Sequence, residues 1–242
     1  AAFWSPVRAA NTHAVIFFLP SNLFVSLESE NSNSSSRFLF SEDSLHLSTK
    51  EPFLEYKDGK TFQAKRIDGR VDIDGILNDI TWEGMHEVIP HKDSQNEGYD
   101  KLSSELYLSQ FIQQFPSNLS SPRFNTIASI QYDDEYIYVA AKLFDSSPDS
   151  IVQRLSRKDD IDPWLSDWFS IEFDSNHDHY SAFRFVVNAS GVQLDGITYG
   201  DSEFDLEFNP VWFSAVVINV DSWTVEMKIP FKMLSITKLE VP

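Results

Sequence analysis

The segment "DPWLSDWFSIEFD" (162–174) places two tryptophans, three aspartates and a glutamate in thirteen positions. From Trp168 onward it alternates, with Phe169, Ile171 and Phe173 on one side and Trp168, Ser170, Glu172 and Asp174 on the other. A period of two marks a half-buried β-strand, so a tryptophan sits on the polar face beside carboxylates. Three chemistries fit such a set. A flat ring with neighbouring oxygen acceptors suits a sugar, whose C–H face stacks while its hydroxyls find partners. Trp164, which follows Pro163 in the acidic loop, is the first candidate platform, Trp168 the second, and Asp167 and Glu172 the acceptors. Alternatively, Trp168 only covers the outer face of the sheet.

The second chemistry is a hard cation. "DSNHD" (174–178) sets Asp174, Asn176 and Asp178 at alternate positions of one turn, and Asp160 belongs to a second acidic stretch, "DDIDPWLSD" (159–167). Calcium takes about 6 to 8 oxygen ligands, which a chain this acidic can supply. The bland reading is solvated turn aspartates bonding their own backbone. The third chemistry is acid–base catalysis, and it has little support. Glu172 and Asp174 lie on one strand face roughly 7 Å apart, so their carboxylates run parallel rather than closing on a bond from two sides. No Gly-x-Ser-x-Gly, His-Glu-x-x-His or glycine-rich phosphate loop occurs. The chain reads as a non-enzyme.

The elements that must hold these residues are strands. "TIASIQ" (126–131), "YIYVAAKLF" (136–144), "AFRFVVN" (182–188), "VWFSAVVIN" (211–219) and "WTVEMKI" (223–229) are rich in β-branched and aromatic residues. Turn signals separate them, such as "YDDEY" (132–136), the Ser-, Pro- and Asp-rich stretch 145–150, and "NASG" (188–191). That spacing predicts an all-β fold, an antiparallel β-sandwich. Its inner faces would include Phe169, Ile171, Phe173, Phe183, Phe185, Val225, Met227 and Ile229. Trp82 and Trp223 read as core, Trp212 is undecided, and "SSELYLSQFIQQF" (103–115) fits either a helix or a strand.

Composition narrows the partners. With 37 acidic against 19 basic residues and a formal charge of −18, the chain is a poor match for nucleic acid, which is bound through Lys and Arg on phosphate. Neutral glycans and cations stay open. The absence of cysteine removes disulfides and thiolate sites. Residues 1–65 differ from the rest: the apolar run "AVIFFLPSNLFVSL" (14–27), broken by Pro20, is followed by the Ser/Asn-rich "ESENSNSSSR" (28–37). The run is shorter than the roughly 20 residues a membrane-spanning helix needs, and it reads equally as the core of a secretory signal or as buried strands. We expect an irregular N-terminal extension over 1–65 and the sandwich over 66–242.

The order of segments resembles a known family. "IDGILNDITW" (73–82), the stretch 111–151, "RKDDIDPWLSDWFSIEFDSNHDHYSAFRFVVNASGVQLDG" (157–196) and "WTVEMKIPFKML" (223–234) are similar, in that order, to the motifs of carbohydrate-binding module family 9-like domains. The resemblance extends over about 67 to 236. It is nearest to the version at the N-terminus of large bacterial surface proteins, where an outer-membrane β-barrel region follows. It implies a non-catalytic sandwich that binds a poly- or oligosaccharide, carries structural calcium, does not itself span the membrane, and works outside the cytoplasm. The alternative expectation is a structural or interaction domain appended to such a barrel, with no sugar site.

Overall fold

The computed structural model describes residues 13–18, 23–27, 60–82, 84–85, 107–109, 111, 122–160, 165–175, 180–200 and 203–234. These form eleven strands in chain order: β1 (His13–Phe18), β2 (Leu23–Leu27), β3 (Lys60–Arg66), β4 (Thr126–Tyr132), β5 (Tyr136–Phe144), β6 (Trp168–Phe173), β7 (Ser181–Asn188), β8 (Gln193–Tyr199), β9 (Glu203–Asp205), β10 (Phe213–Ile218) and β11 (Ser222–Pro230). One sheet runs β1-β6-β7-β8-β9 and the other β10-β11-β5-β4-β3-β2. The two pack face to face, so the fold is the expected β-sandwich. Pairings from β4 to β11 within each sheet are antiparallel, whereas β1–β6, β2–β3 and β3–β4 are parallel. The parallel contacts all involve the first three strands, which the sequence reading assigned to an irregular extension.

The period of two decides which residues fill the space between the sheets. Phe169 and Ile171 of β6, Phe185 and Val187 of β7, and Trp223, Val225, Met227 and Ile229 of β11 meet Val139, Ala141 and Leu143 of β5 in one core. All of these are buried. Phe173 and Phe183 pack against the rim of the core beside Phe208. Trp212, undecided from sequence, joins this core edge-on to Phe185, with ring centroids 5.3 Å apart. The segment 103–115 lies mostly outside the described residues, but Leu108 forms a bridge to Ala128 of β4.

A second core covers the outer face of the larger sheet. Val71, Leu77, Trp82 and Met85 lie on Ile127, Tyr138, Ala140 and Phe144. What fixes this cover is one carboxylate. Glu226, fully buried on β11, accepts the Trp82 indole N–H at 2.7 Å on one oxygen and the Gly75 and Asp74 N–H groups at 2.7 and 3.0 Å on the other. Burial pushes the Glu226 carboxyl above its ordinary range, and the three donors oppose that shift. Gly75 has a φ of +84°, and a Cβ there would stand 2.9 Å from the Val216 backbone and the Val217 side chain. The "IDGILNDITW" motif is therefore a docking element, made from a glycine that fits against β10 and an indole that reaches β11.

Candidate functional site

Trp164, the first candidate platform, lies outside the described residues, as do Asn176 and Asp178. The chain on either side of residues 161–164 is firmly held. Before it, Asp159 adopts a left-handed φ of +61°, its N–H bonds the Gln193 carbonyl at 3.1 Å, and its carboxylate accepts the Asp195 N–H at 3.3 Å. Asp195 is buried on β8 and accepts the Trp212 indole N–H at 2.8 Å and the Lys158 ammonium at 2.9 Å. Lys158 also bonds Asn209. Burial raises the Asp195 carboxyl, against the opposing pull of Trp212 and Lys158.

After residue 164, Asp167 turns inward. It is fully buried, and its carboxylate accepts the Val152 N–H at 2.8 Å while its own N–H donates to the Val152 carbonyl at 2.9 Å. Ser166 adds a hydroxyl bond of 2.6 Å to the same carbonyl. This corrects the expectation for Asp167 as an acceptor at the surface. A short carboxylate beside an irregular stretch of chain is consumed as a backbone brace.

Trp168 and Glu172 are corrected in the same way, being 5% and 2% exposed. Trp168 packs with Val186 and Leu194 under Leu206, which follows β9. Between Trp168 and Glu172 the structure inserts Arg184 of β7, paired in register opposite Glu172. The Arg184 Nε lies 3.2 Å from the Glu172 carboxylate and donates to the Ser170 hydroxyl at 3.1 Å. Its guanidinium sits 5.5 Å from the Trp168 ring centre and 5.8 Å from that of Phe204, a cation held near two aromatic rings. Burial raises the Glu172 carboxyl and Arg184 draws it back. The tryptophan on the polar face is thus part of a small apolar and ionic patch roofed by the β9 segment. Sequence reasoning missed Arg184, although a lone cation inside "AFRFVVN", in phase with Glu172 and Trp168, was the available signal.

Of the metal candidates, the two described ones, Asp174 and Asp160, stand apart. Asp174 directly follows β6, while Asp160 adjoins the turn held to Gln193, beside the opposite end of that strand. Among the described residues no group of three acidic or histidine side chains is placed to hold an ion. The rest of the Asp174 turn lies outside the described residues.

No protein-family model and no curated protein matches the chain. Among solved structures, it is similar to a carbohydrate binding module family 9 from Caldicellulosiruptor kristjanssonii in complex with cellotriose, at 16% identity and a TM-score of 0.42, covering 72% of this chain and 67% of that one. The same module in complex with glucose gives 17% identity and a TM-score of 0.41, covering 71% and 72%.

Proposed function

We propose that this domain binds a neutral glycan without acting on it, with Trp164 as the stacking ring. The observation that carries the reading is the bracing of the chain on both sides of residues 161–164. Asp159 and Asp195 fix one side, and Asp167 and Ser166 fix the other. Two buried carboxylates spent on holding a tryptophan-bearing loop make sense if the ring must stay in place without sinking into the core. Preorganisation of this kind lowers the ordering cost of binding. The charge of −18 favours uncharged partners over polyanions. Catalysis finds no support in the nearby carboxylates: Glu172 is committed to Arg184, and Asp167 to the backbone of Val152.

Calcium belongs to the same proposal, at the turn of Asp174, Asn176 and Asp178. Gathering these groups costs Coulomb energy that a bound cation offsets, so the ion stabilises the fold by mass action. Such a glycan-binding domain acts outside the cytoplasm, as an appendage of the cell envelope or of a barrel protein.

The test is a glycan array on the parent and on Trp164→Ala. The variant should lose glycan retention while its melting temperature stays within about 3 °C of the parent, as expected of a change away from the core. A variant that unfolds, or retention that survives, overturns Trp164 as the platform. Melts in EDTA and in millimolar calcium should differ by several degrees, and identical melts overturn the ion.

A further inference from the structure

A cleft of about 1080 Å³ opens on the outer face of the larger sheet, where the β10–β11 hairpin meets the chain after β5. Its floor is built by register. Lys142 of β5 lies opposite Thr224 of β11, and both side chains point away from the main core. One wall is Ile76 and Leu77, the second is the stretch from Pro148 to Gln153, and the third is the hairpin from Ile218 to Ser222.

Each wall is fixed by hydrogen bonds, and Asp145 ties the second to the third. The first hangs from Glu226 through Gly75, and the Thr224 hydroxyl adds a bond of 2.7 Å to the Gly75 carbonyl. The second begins in a one-turn 3₁₀ helix (Pro148–Ser150) next to Asp145, whose carboxylate accepts the Ser147 N–H at 2.7 Å, and it is braced at Val152 by Asp167. The third is a tight hairpin, held by the Asn219 N–H on the Ser222 carbonyl and by the Asp145 N–H on the Asp221 carbonyl, both 2.8 Å. A depression bounded by three braced walls persists without a ligand, which is the condition for cheap recognition. Its volume lies just above the range of about 300–1,000 Å³ usual for small-molecule sites.

The lining chemistry selects the guest. Lys142 forms part of the floor, 7% exposed, with its ammonium 5.0 Å from the Phe144 ring centre. Two carboxylates, Asp149 and Asp221, and two amides, Gln153 and Asn219, stand around it. A lone hard cation is repelled by Lys142. A polyanion meets two carboxylates in a chain already at −18. A polyol suits all of them, because each hydroxyl donates and accepts at once. Ile76 and Val220, 48% and 90% exposed, offer aliphatic surface for C–H faces. Among the described residues no aromatic side chain lines the cleft, so recognition there depends on hydrogen bonds rather than stacking. Burial pulls the Lys142 ammonium below its ordinary range, with Asp221 opposing, as expected of a charge set into the floor rather than waving in solvent.

We infer that this cleft is a second ligand site, distinct from the Trp164 loop, that takes a short neutral oligosaccharide by hydrogen bonding. The choice of ligand class rests on the sugar-binding reading, while the cleft stands on its own geometry. Ile151 to Gln153 is a wall of the cleft, and its middle residue is the one that Asp167 clamps. The cleft wall and the chain that leaves the Trp164 loop therefore share a strut.

The experiment is amide NMR on the whole labelled chain, titrated with gluco-, galacto-, manno- and xylo-configured neutral trisaccharides and with trigalacturonate. At least one neutral member should shift the Gln153, Asn219, Asp221 and Ser222 signals, and should do so equally in Trp164→Ala. Lys142→Met and Gln153→Ala, each with a dispersed spectrum, should weaken that response at least fivefold. Gln153 is exposed, so its variant reports on binding even if Lys142→Met fails to fold. Shifts confined to residues 165–167 overturn the cleft and leave the Trp164 reading standing. Silence across the panel at both places overturns both. Tighter binding of trigalacturonate than of every neutral member overturns the ligand class.

Discussion

Glu172 and Arg184 show how an ion pair inside a protein is judged by what its removal leaves behind. Both are largely buried, the arginine side chain at 15% and the glutamate at 2%. Truncating one partner strands the other charge, whereas replacing both with apolar residues of similar volume does not. Arg184→Met should therefore destabilise the domain by about 3–5 kcal/mol in urea denaturation, and adding Glu172→Met should recover most of that loss. A double variant no better than the single would show that Arg184 matters through its ring contacts instead. Glu226 is the second such case. Glu226→Gln keeps the shape but turns an amide N–H₂ toward donors, at a cost of about 2–4 kcal/mol read from the urea midpoint. The role of Glu226 was not legible residue by residue, because "WTVEMKI" shows a glutamate only as an out-of-phase polar position. Its partners lie 144 to 152 residues away, and a spacing of that kind leaves no local pattern.

At the scale of elements, the sequence spoke clearly. The segments 168–173, 136–144 and 223–229 correspond to β6, β5 and β11 within a residue at each end, because runs rich in β-branched and aromatic residues suit a pleated surface pressed into a core. The strands that escaped notice are short or weakly patterned. β9 spans only Glu203–Asp205, and β8 carries Asp195 and Gly196 at positions where a strand usually places apolar or branched residues. Gly196 has a reason to be there. A Cβ on it would stand 2.5 Å from the Phe204 ring and 2.6 Å from the Asp205 carbonyl. Gly196→Ala should push β9 off the sheet, expose Trp168 and red-shift the tryptophan emission, with the rest of the sandwich intact. An unchanged spectrum would mean that β9 accommodates the methyl group. Of the candidate site, the loop flanks were legible as acidic turns, but whether their carboxylates face out or in was not, since alternation holds in strands and fails in loops.

For the whole molecule, three buried carboxylates, Glu172, Asp195 and Glu226, have folded-state pKa values raised by burial. The folded chain then holds protons more tightly than the unfolded chain. Stability from these groups is fully present below the ordinary carboxylate range and is lost as pH rises through the raised values. Self-repulsion at −18 acts in the same direction. The melting temperature, measured without divalent ions, should be higher near pH 5 than near pH 8. A melting temperature that climbs with pH would mean that these carboxylates are held better as anions than their burial implies.

The contact between Trp82 and Glu226 also has a meaning in time. On a ribosome the indole emerges 144 residues before its acceptor, an interval of roughly 7–30 seconds at usual synthesis rates of about 5–20 residues per second. Throughout that interval Val71, Leu77, Trp82 and Met85 lack β11 and the carboxylate that docks them. The nascent chain therefore displays a sticky apolar segment early and hides it last. The family-like motif at 73–82 is thus where a chaperone would be expected to wait.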